Sequence, residues 1–246
     1  MTRYSLPPPQ RLPSGLEADR HFYDDTSGFA GEGLVRHLGL IQTYFERSVP
    51  FLQDEFGKRG TIRALELGAG SCMLSLLVSK LPFVSQIDCL DISSARMKTV
   101  LPLANKLVAG TPEKLTLHEG DFGGPLPFPD QSYDLILFDA SLHHSRSIWR
   151  TLMECRRTLR PGGLVVAQRE QFLGLLTYSI KLRRLLRTEE VRAGVSENAY
   201  LRSQYDYYFR ACGFEPRFLG VAENTLQRLL LPANGLVYSK WVIIAH

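Results

Sequence analysis

The chain has 246 residues, 44% of them hydrophobic and 22% charged, and a formal net charge of +4; this excludes disorder as the main state and allows one sizeable core. The 29 basic residues face 25 acidic ones, an excess too small to select nucleic acid or an anionic surface as partner. No stretch approaches the length of a bilayer span and MTRYSLPPPQ has no apolar run behind its arginine, so the expectation is a cytoplasmic protein without signal peptide or membrane helix.

In chain order, Leu6 to Gly15 (LPPPQRLPSG) is too rich in proline for helix or central strand, and residues 1–20 are assigned to a flexible arm. Residues 21–60 form an N-terminal helical cap. There Leu34, Leu38, Ile41 and Phe45 mark one helix face, and Pro50 followed by Gly57 marks a further short helix and its stop. From Thr61 short apolar strands alternate with helices, the pattern of a parallel sheet covered on both faces. The expected strands are Ile62 to Leu67, Ser85 to Leu90, Leu115 to Glu119, Tyr133 to Phe138 and Gly163 to Gln168.

Leu74, Leu77, Val78 and Leu81 share one helix face, and Ile148, Leu152, Cys155 and Leu159 another, each run stopped by a proline. A last helix carrying Leu201, Tyr205, Tyr208 and Cys212 ends at Gly213, with Phe214 to Val221 and Val237 to Ala245 as closing strands. Cys72, Cys89, Cys155 and Cys212 lack paired-ligand spacing. They are expected as small buried hydrophobes, with no disulfide framework and no metal site.

The most informative stretch is LELGAGS, Leu65 to Ser71, where a strand enters Gly68 and Gly70 and then a helix. Such a turn is expected to bring bare backbone N–H groups and a helix N-terminus to a ligand. Asp91 ends the second strand 21 residues after Gly70, where a carboxylate can accept hydrogen bonds from ribose hydroxyls. A nicotinamide fingerprint would place a third glycine at Met73, and a Tyr-x-x-x-Lys pair after the fifth strand is also missing, which leaves a nicotinamide oxidoreductase as the weaker reading.

With Glu66 before the glycines, Asp121 in GDF, YDLILFDASLHH, and RPGG at 160–163, residues from about Thr61 to His246 resemble the class I S-adenosylmethionine-dependent methyltransferases. The resemblance implies an α/β Rossmann-like, doubly wound, mostly parallel seven-stranded sheet of order 3-2-1-4-5-7-6 with the last strand antiparallel, filling a domain at 61–246. It implies S-adenosyl-L-methionine as cofactor and S-adenosyl-L-homocysteine as product. The cofactor would be held by Glu66, Gly68, Ala69, Gly70, Asp91, Ile92, Asp121 and Phe122, with Asp139 opening the acceptor pocket.

Reacting groups in such a sheet lie beyond the carboxyl ends of the strands, so His143, His144 and Glu170 are the candidate bases; an imidazole is suited to accepting a hydroxyl proton near neutral pH. Each has a structural alternative: a histidine that shapes the loop, or a Glu170 salt-bridged to Arg169 or another nearby cation. KLRRLLRTEEVR, Lys181 to Arg192, is an amphipathic helix with a basic flank. It is either a solvated face with buried leucines or a receiver for phosphate, pyrophosphate or an anionic membrane surface.

A looser likeness of Arg169 to Phe214, including EVRAGVSENAY, to methyltransferases of bacterial polysaccharide biosynthesis implies a sugar acceptor. The expected partner is therefore a small-molecule or glycan-type acceptor, methylated at oxygen. Nucleic acid is disfavoured because DASLHH stands where a base-methylating enzyme carries Asn or Asp before Pro-Pro-aromatic. A non-catalytic S-adenosylmethionine-binding subunit would carry the same binding half.

Overall fold

The computed structural model describes residues 15–27, 29, 31–236 and 240–246. Most of the proline-rich arm and the first three residues of the last expected strand, 237–239, lie outside the described residues.

All five expected parallel strands form: β1 (Ile62–Leu67), β2 (Val84–Asp91), β3 (Leu115–Glu119), β4 (Tyr133–Asp139) and β5 (Leu159–Gln168). Two further strands, β6 (Pro216–Gly220) and β7 (Trp241–Ala245), complete a seven-stranded sheet of order 3-2-1-4-5-7-6, with β7 antiparallel to both neighbours. β5 begins earlier than expected, because Leu159 already pairs with Tyr133 before the ladder shifts register and resumes at Leu135 and Leu164. A short parallel pair, Phe172–Leu173 with Tyr200–Leu201, stands outside this sheet.

The strands are apolar on both faces because helices cover both. Ile62 and Ala64 of β1 join one core with α2 (Gly31–Phe56), α3 (Met73–Val78) and α4 (Ser94–Val108). Leu65 and Leu67 join the other with α5 (Ile148–Thr158) and α8 (Arg202–Ala211). All four cysteines are buried thiols.

Two expectations on helices are corrected. Pro50 does not divide the cap: α2 is one helix of 26 residues with Pro50 inside it. The buried stripe Leu34, Leu38, Ile41, Phe45, Ser48, Leu52 and Phe56 runs through the proline, and this continuous burial outweighs the hydrogen bond that Pro50 cannot donate. The basic segment is two helices, α6 (Tyr178–Leu185) and α7 (Glu189–Arg192), because Thr188 caps the second by accepting the Val191 N–H. Neither helix has a buried residue, so the buried leucines expected here are absent. A nine-residue helix, α1 (Gly15–Tyr23), precedes α2.

Strand order reverses between β1 and β4, and the crevice at their carboxyl ends is where an open α/β sheet takes its ligand.

Candidate active site

Gly68 and Gly70 both adopt left-handed backbone, φ +71° and +46°. At Gly68 a Cβ would lie 2.5 Å from the Ser141 Cβ and 3.1 Å from the Phe122 ring. That glycine lets Ser141, just after β4, and Phe122 pack directly against the turn. Gly68→Ala is therefore expected to lower the melting temperature by several degrees, since backbone strain alone costs about 1–3 kcal/mol. An unchanged thermal transition with unchanged cofactor affinity would refute this role.

The expectation of free amides in this turn is corrected. The N–H groups of Gly68 and Ala69 donate to the Leu90 carbonyl at 2.8 and 3.1 Å, and that of Gly70 donates to Asp91 Oδ2 at 2.7 Å. Gly68, Ala69 and Gly70 thus fasten the turn to the end of β2 with N–H groups that are already used. Asp91 Oδ1 accepts the Ser93 N–H at 2.8 Å. Each carboxylate oxygen has a second lone pair for a ligand hydroxyl. Burial pushes the Asp91 carboxyl above its ordinary range, opposed by the N–H groups of Ser93 and Gly70.

A cleft of about 660 Å³, counted to its open mouth, joins these residues to the far side of the switch point. Gly68, Ala69, Gly70, Asp91, Ile92, Phe122 and Asp139 line it, as does His144. Asp121 is not in the lining; it is exposed beside Phe122 and its Oδ1 accepts the Gly123 N–H at 3.0 Å. Glu66 is enclosed behind the turn, where it accepts the N–H of Ser75 at 3.0 Å and the Ser75 hydroxyl. It thus caps the first turn of α3, and burial holds its carboxyl well above the usual range.

Glu170 and His143 also stand behind the cleft. The Glu170 side chain is fully covered and accepts the N–H groups of Ser141, Leu142 and His143 at 3.2, 3.1 and 3.0 Å. His143 Nδ1 adds a fourth contact at 2.6 Å. Glu170 therefore clamps the turn after β4. The expected Glu170–Arg169 ion pair does not form; Arg169 makes a two-pronged pair with Asp139 at 2.6 and 2.7 Å across the cleft.

Of the two histidines after β4, His144 is the one that reaches the cleft. Its Nδ1 lies 2.8 Å from the Ser196 carbonyl and 3.0 Å from Glu197 Oε2. Both of these closer neighbours only accept, so Nδ1 carries the proton and Nε2 is the basic atom of the neutral ring; the Tyr23 hydroxyl lies 3.2 Å from each ring nitrogen. Burial pushes the imidazole down. The hydrogen bond and charge of Glu197, with the Ser196 carbonyl, outweigh it and hold His144 above its ordinary value. Burial first, then the Glu197 charge, raises the Tyr23 phenol, which stays protonated.

The donors of His143, His144 and Glu197 fall within 4.8 Å of one another, the one such group among the described residues that could hold a metal. Within it His143 Nδ1 is engaged by Glu170 and His144 Nδ1 by Ser196 and Glu197, while His144 Nε2 faces Tyr23.

Sequence reasoning missed Arg96, His37 and Glu197. Arg96 follows the Ser93 N-cap of α4 and lies over the rings of Tyr23 and Phe29 at 4.8 and 5.0 Å. His37 lines the cleft from α2, and burial, with the charge of Arg169, lowers it to about 4, so it is neutral at pH 7. Nothing local marks either. Glu197 carried a signal, its place in GVSENAY, but its partner lies 53 positions away in the chain.

Comparison with known proteins agrees with this architecture. Residues 65–167 match the family described as a methyltransferase domain. An uncharacterised chloroplastic methyltransferase of Arabidopsis thaliana is 30% identical over 170 residues, 69% of this chain and 46% of the relative. The 27-O-demethylrifamycin SV methyltransferase of Amycolatopsis mediterranei is 33% identical over 123 residues, 42% of this chain and 44% of the relative. The chain thus spans less than half the length of these relatives. An S-adenosylmethionine-dependent methyltransferase from Mesorhizobium loti superposes with a TM-score of 0.58 at 18% identity, covering 81% of this chain and 97% of that one. Sheet order, the glycine turn fastened to Asp91 and the methyltransferase domain matched at residues 65–167 together support a class I S-adenosylmethionine-dependent methyltransferase.

Proposed function

We propose that the protein transfers a methyl group from S-adenosyl-L-methionine to a hydroxyl of a small-molecule or sugar-type acceptor, leaving S-adenosyl-L-homocysteine. The reading is carried by a single cleft that joins Gly68, Asp91, Ile92 and Phe122 on one side to His144, Asp139 and Arg169 on the other. The glycine turn, the Asp91 carboxylate with acceptor capacity remaining and the Phe122 ring line one cleft and fit an adenosine-bearing ligand. Arg96, whose Nε has no partner in the described structure, adds a cation to the same wall.

The cofactor, when bound, supplies an electrophilic methyl group on a sulfonium. The protein has to align an acceptor oxygen with it, exclude water and take the proton. In our reading His144 Nε2 takes that proton, with Nδ1–H held by Ser196 and Glu197. Glu66, Glu170 and His143 act by position, keeping α3 and the turn after β4 in place. Asp121 touches the ligand only from the rim, beside Phe122. Oxygen is favoured as the methylated atom by the basic nitrogen at the cleft and by the relative named for 27-O-demethylrifamycin SV.

The test is incubation with isotopically labelled S-adenosylmethionine and a panel of glycan precursors and hydroxylated small molecules, read by mass spectrometry for the gain of one methyl. Acceptor-dependent formation of S-adenosyl-L-homocysteine is expected. Tight cofactor binding with no transfer to any acceptor would replace this reading by a non-catalytic S-adenosylmethionine-binding subunit.

A further inference from the structure

Large apolar side chains left in water gather in two segments of this chain. Leu175, Leu176, Tyr178, Ile180 and Leu186 are exposed in the first, and Leu226, Leu229 and Leu236 in the second; Leu176 and Leu229 are 72% and 75% exposed. These segments are stitched together by backbone hydrogen bonds from Leu175 to Gly235 at 2.9 Å and from Leu176 to Leu236 at 3.1 Å. α6 in the first and α9 (Thr225–Leu229) in the second have no buried residue.

The charge on these segments has one sign. Residues 171–188 and 224–236 contain no Asp or Glu. Arg183, Arg184, Arg187 and Arg228 form no ion pair among the described residues, whereas Lys181 is occupied with the Phe172 carbonyl at 2.9 Å. We infer that this face seats the protein on an anionic lipid bilayer, the leucines entering the headgroup boundary and the arginines meeting lipid phosphates. Apolar side chains beside arginines without an ion pair among the described residues match that surface.

Two other occupants fit less well. A second copy placed symmetrically on the patch would set arginines against arginines. Nucleic acid would satisfy the arginines and leave the leucines without a partner.

Strand register ties the face to the cleft end of the sheet. The first segment leaves the carboxyl end of β5, just after Arg169. The second returns into β7 next to Gln168, which pairs with Val242. A protein seated this way would present its cleft to an acceptor carried in the membrane. The docking itself does not depend on methyl transfer.

Flotation of the full chain with unilamellar vesicles tests this. Vesicles with about one-third phosphatidylglycerol in phosphatidylcholine should retain at least about tenfold more protein than pure phosphatidylcholine, and salt near 0.5 M should remove most of the difference. R183E with R184E should abolish the anionic preference, and L176S with L229S should weaken binding about tenfold, both with unchanged melting temperature because the residues are exposed. Absent binding, equal binding to neutral and anionic vesicles, insensitivity to both pairs of substitutions, or self-association through this face would each overturn the proposal.

Discussion

Asp91→Ala is expected to weaken S-adenosylmethionine binding by on the order of 10- to 100-fold, the loss of hydrogen bonds to a charged acceptor worth about 1.5–3 kcal/mol. The structure adds a second consequence. The same carboxylate fastens the glycine turn through Gly70 and the entry to α4 through Ser93, so removing it leaves two N–H groups without their acceptor in a buried place. The melting temperature should fall as well, by about 2–4 °C for each kcal/mol lost. Asp91→Asn should reproduce part of both effects, because one N–H then faces an amide donor. Calorimetric titration with cofactor, beside a thermal melt, separates the two, and full affinity in Asp91→Ala would remove Asp91 from the cofactor site.

His144→Ala is expected to lower turnover by about 10²- to 10⁴-fold, the usual contribution of a positioned general base, with cofactor affinity changed by less than about twofold. Glu197→Gln is the more telling substitution. The reaction needs the neutral imidazole, so the rate rises as pH climbs through the His144 pKa, which Glu197 holds above the ordinary value. Without that charge burial is opposed only by the Ser196 carbonyl and the Glu170 charge, the His144 pKa falls, and the rising limb of the pH–rate profile moves to lower pH. Glu197→Gln should therefore cost less at acid pH than at its alkaline plateau, where the ring is less basic and less well oriented. A pH limb that stays in place would end the assignment of His144 as the titrating base.

How much of this was legible in advance varies residue by residue. The turn at Gly68 and the acid at Asp91 are adjacent to the strands they end, so spacing along the chain located them. Glu66 was legible as a position but not as a role: only the nine-residue return to Ser75 reveals a helix cap behind the cleft. Glu170 is similar, a carboxylate expected in the pocket that instead gathers three N–H groups of the turn after β4. Pro50 misled because a local rule, the missing N–H, was outweighed by eight buried residues spread over the length of α2.

By itself the amino-acid sequence determined the alternation of strands and helices, the place of the glycine turn and the acid at the end of β2. Those features rest on side-chain periodicity and backbone preference, which act over a few residues. Only the tertiary structure decided that the amides of Gly68, Ala69 and Gly70 are used internally, that His144 rather than His143 meets the cleft, that Arg96 and His37 share that space and that Glu197 stands against His144. Hydrogen bonds and charge interactions act between atoms that are close in space, and no local pattern records which distant residues the packed sheet will bring within 3 Å of one another.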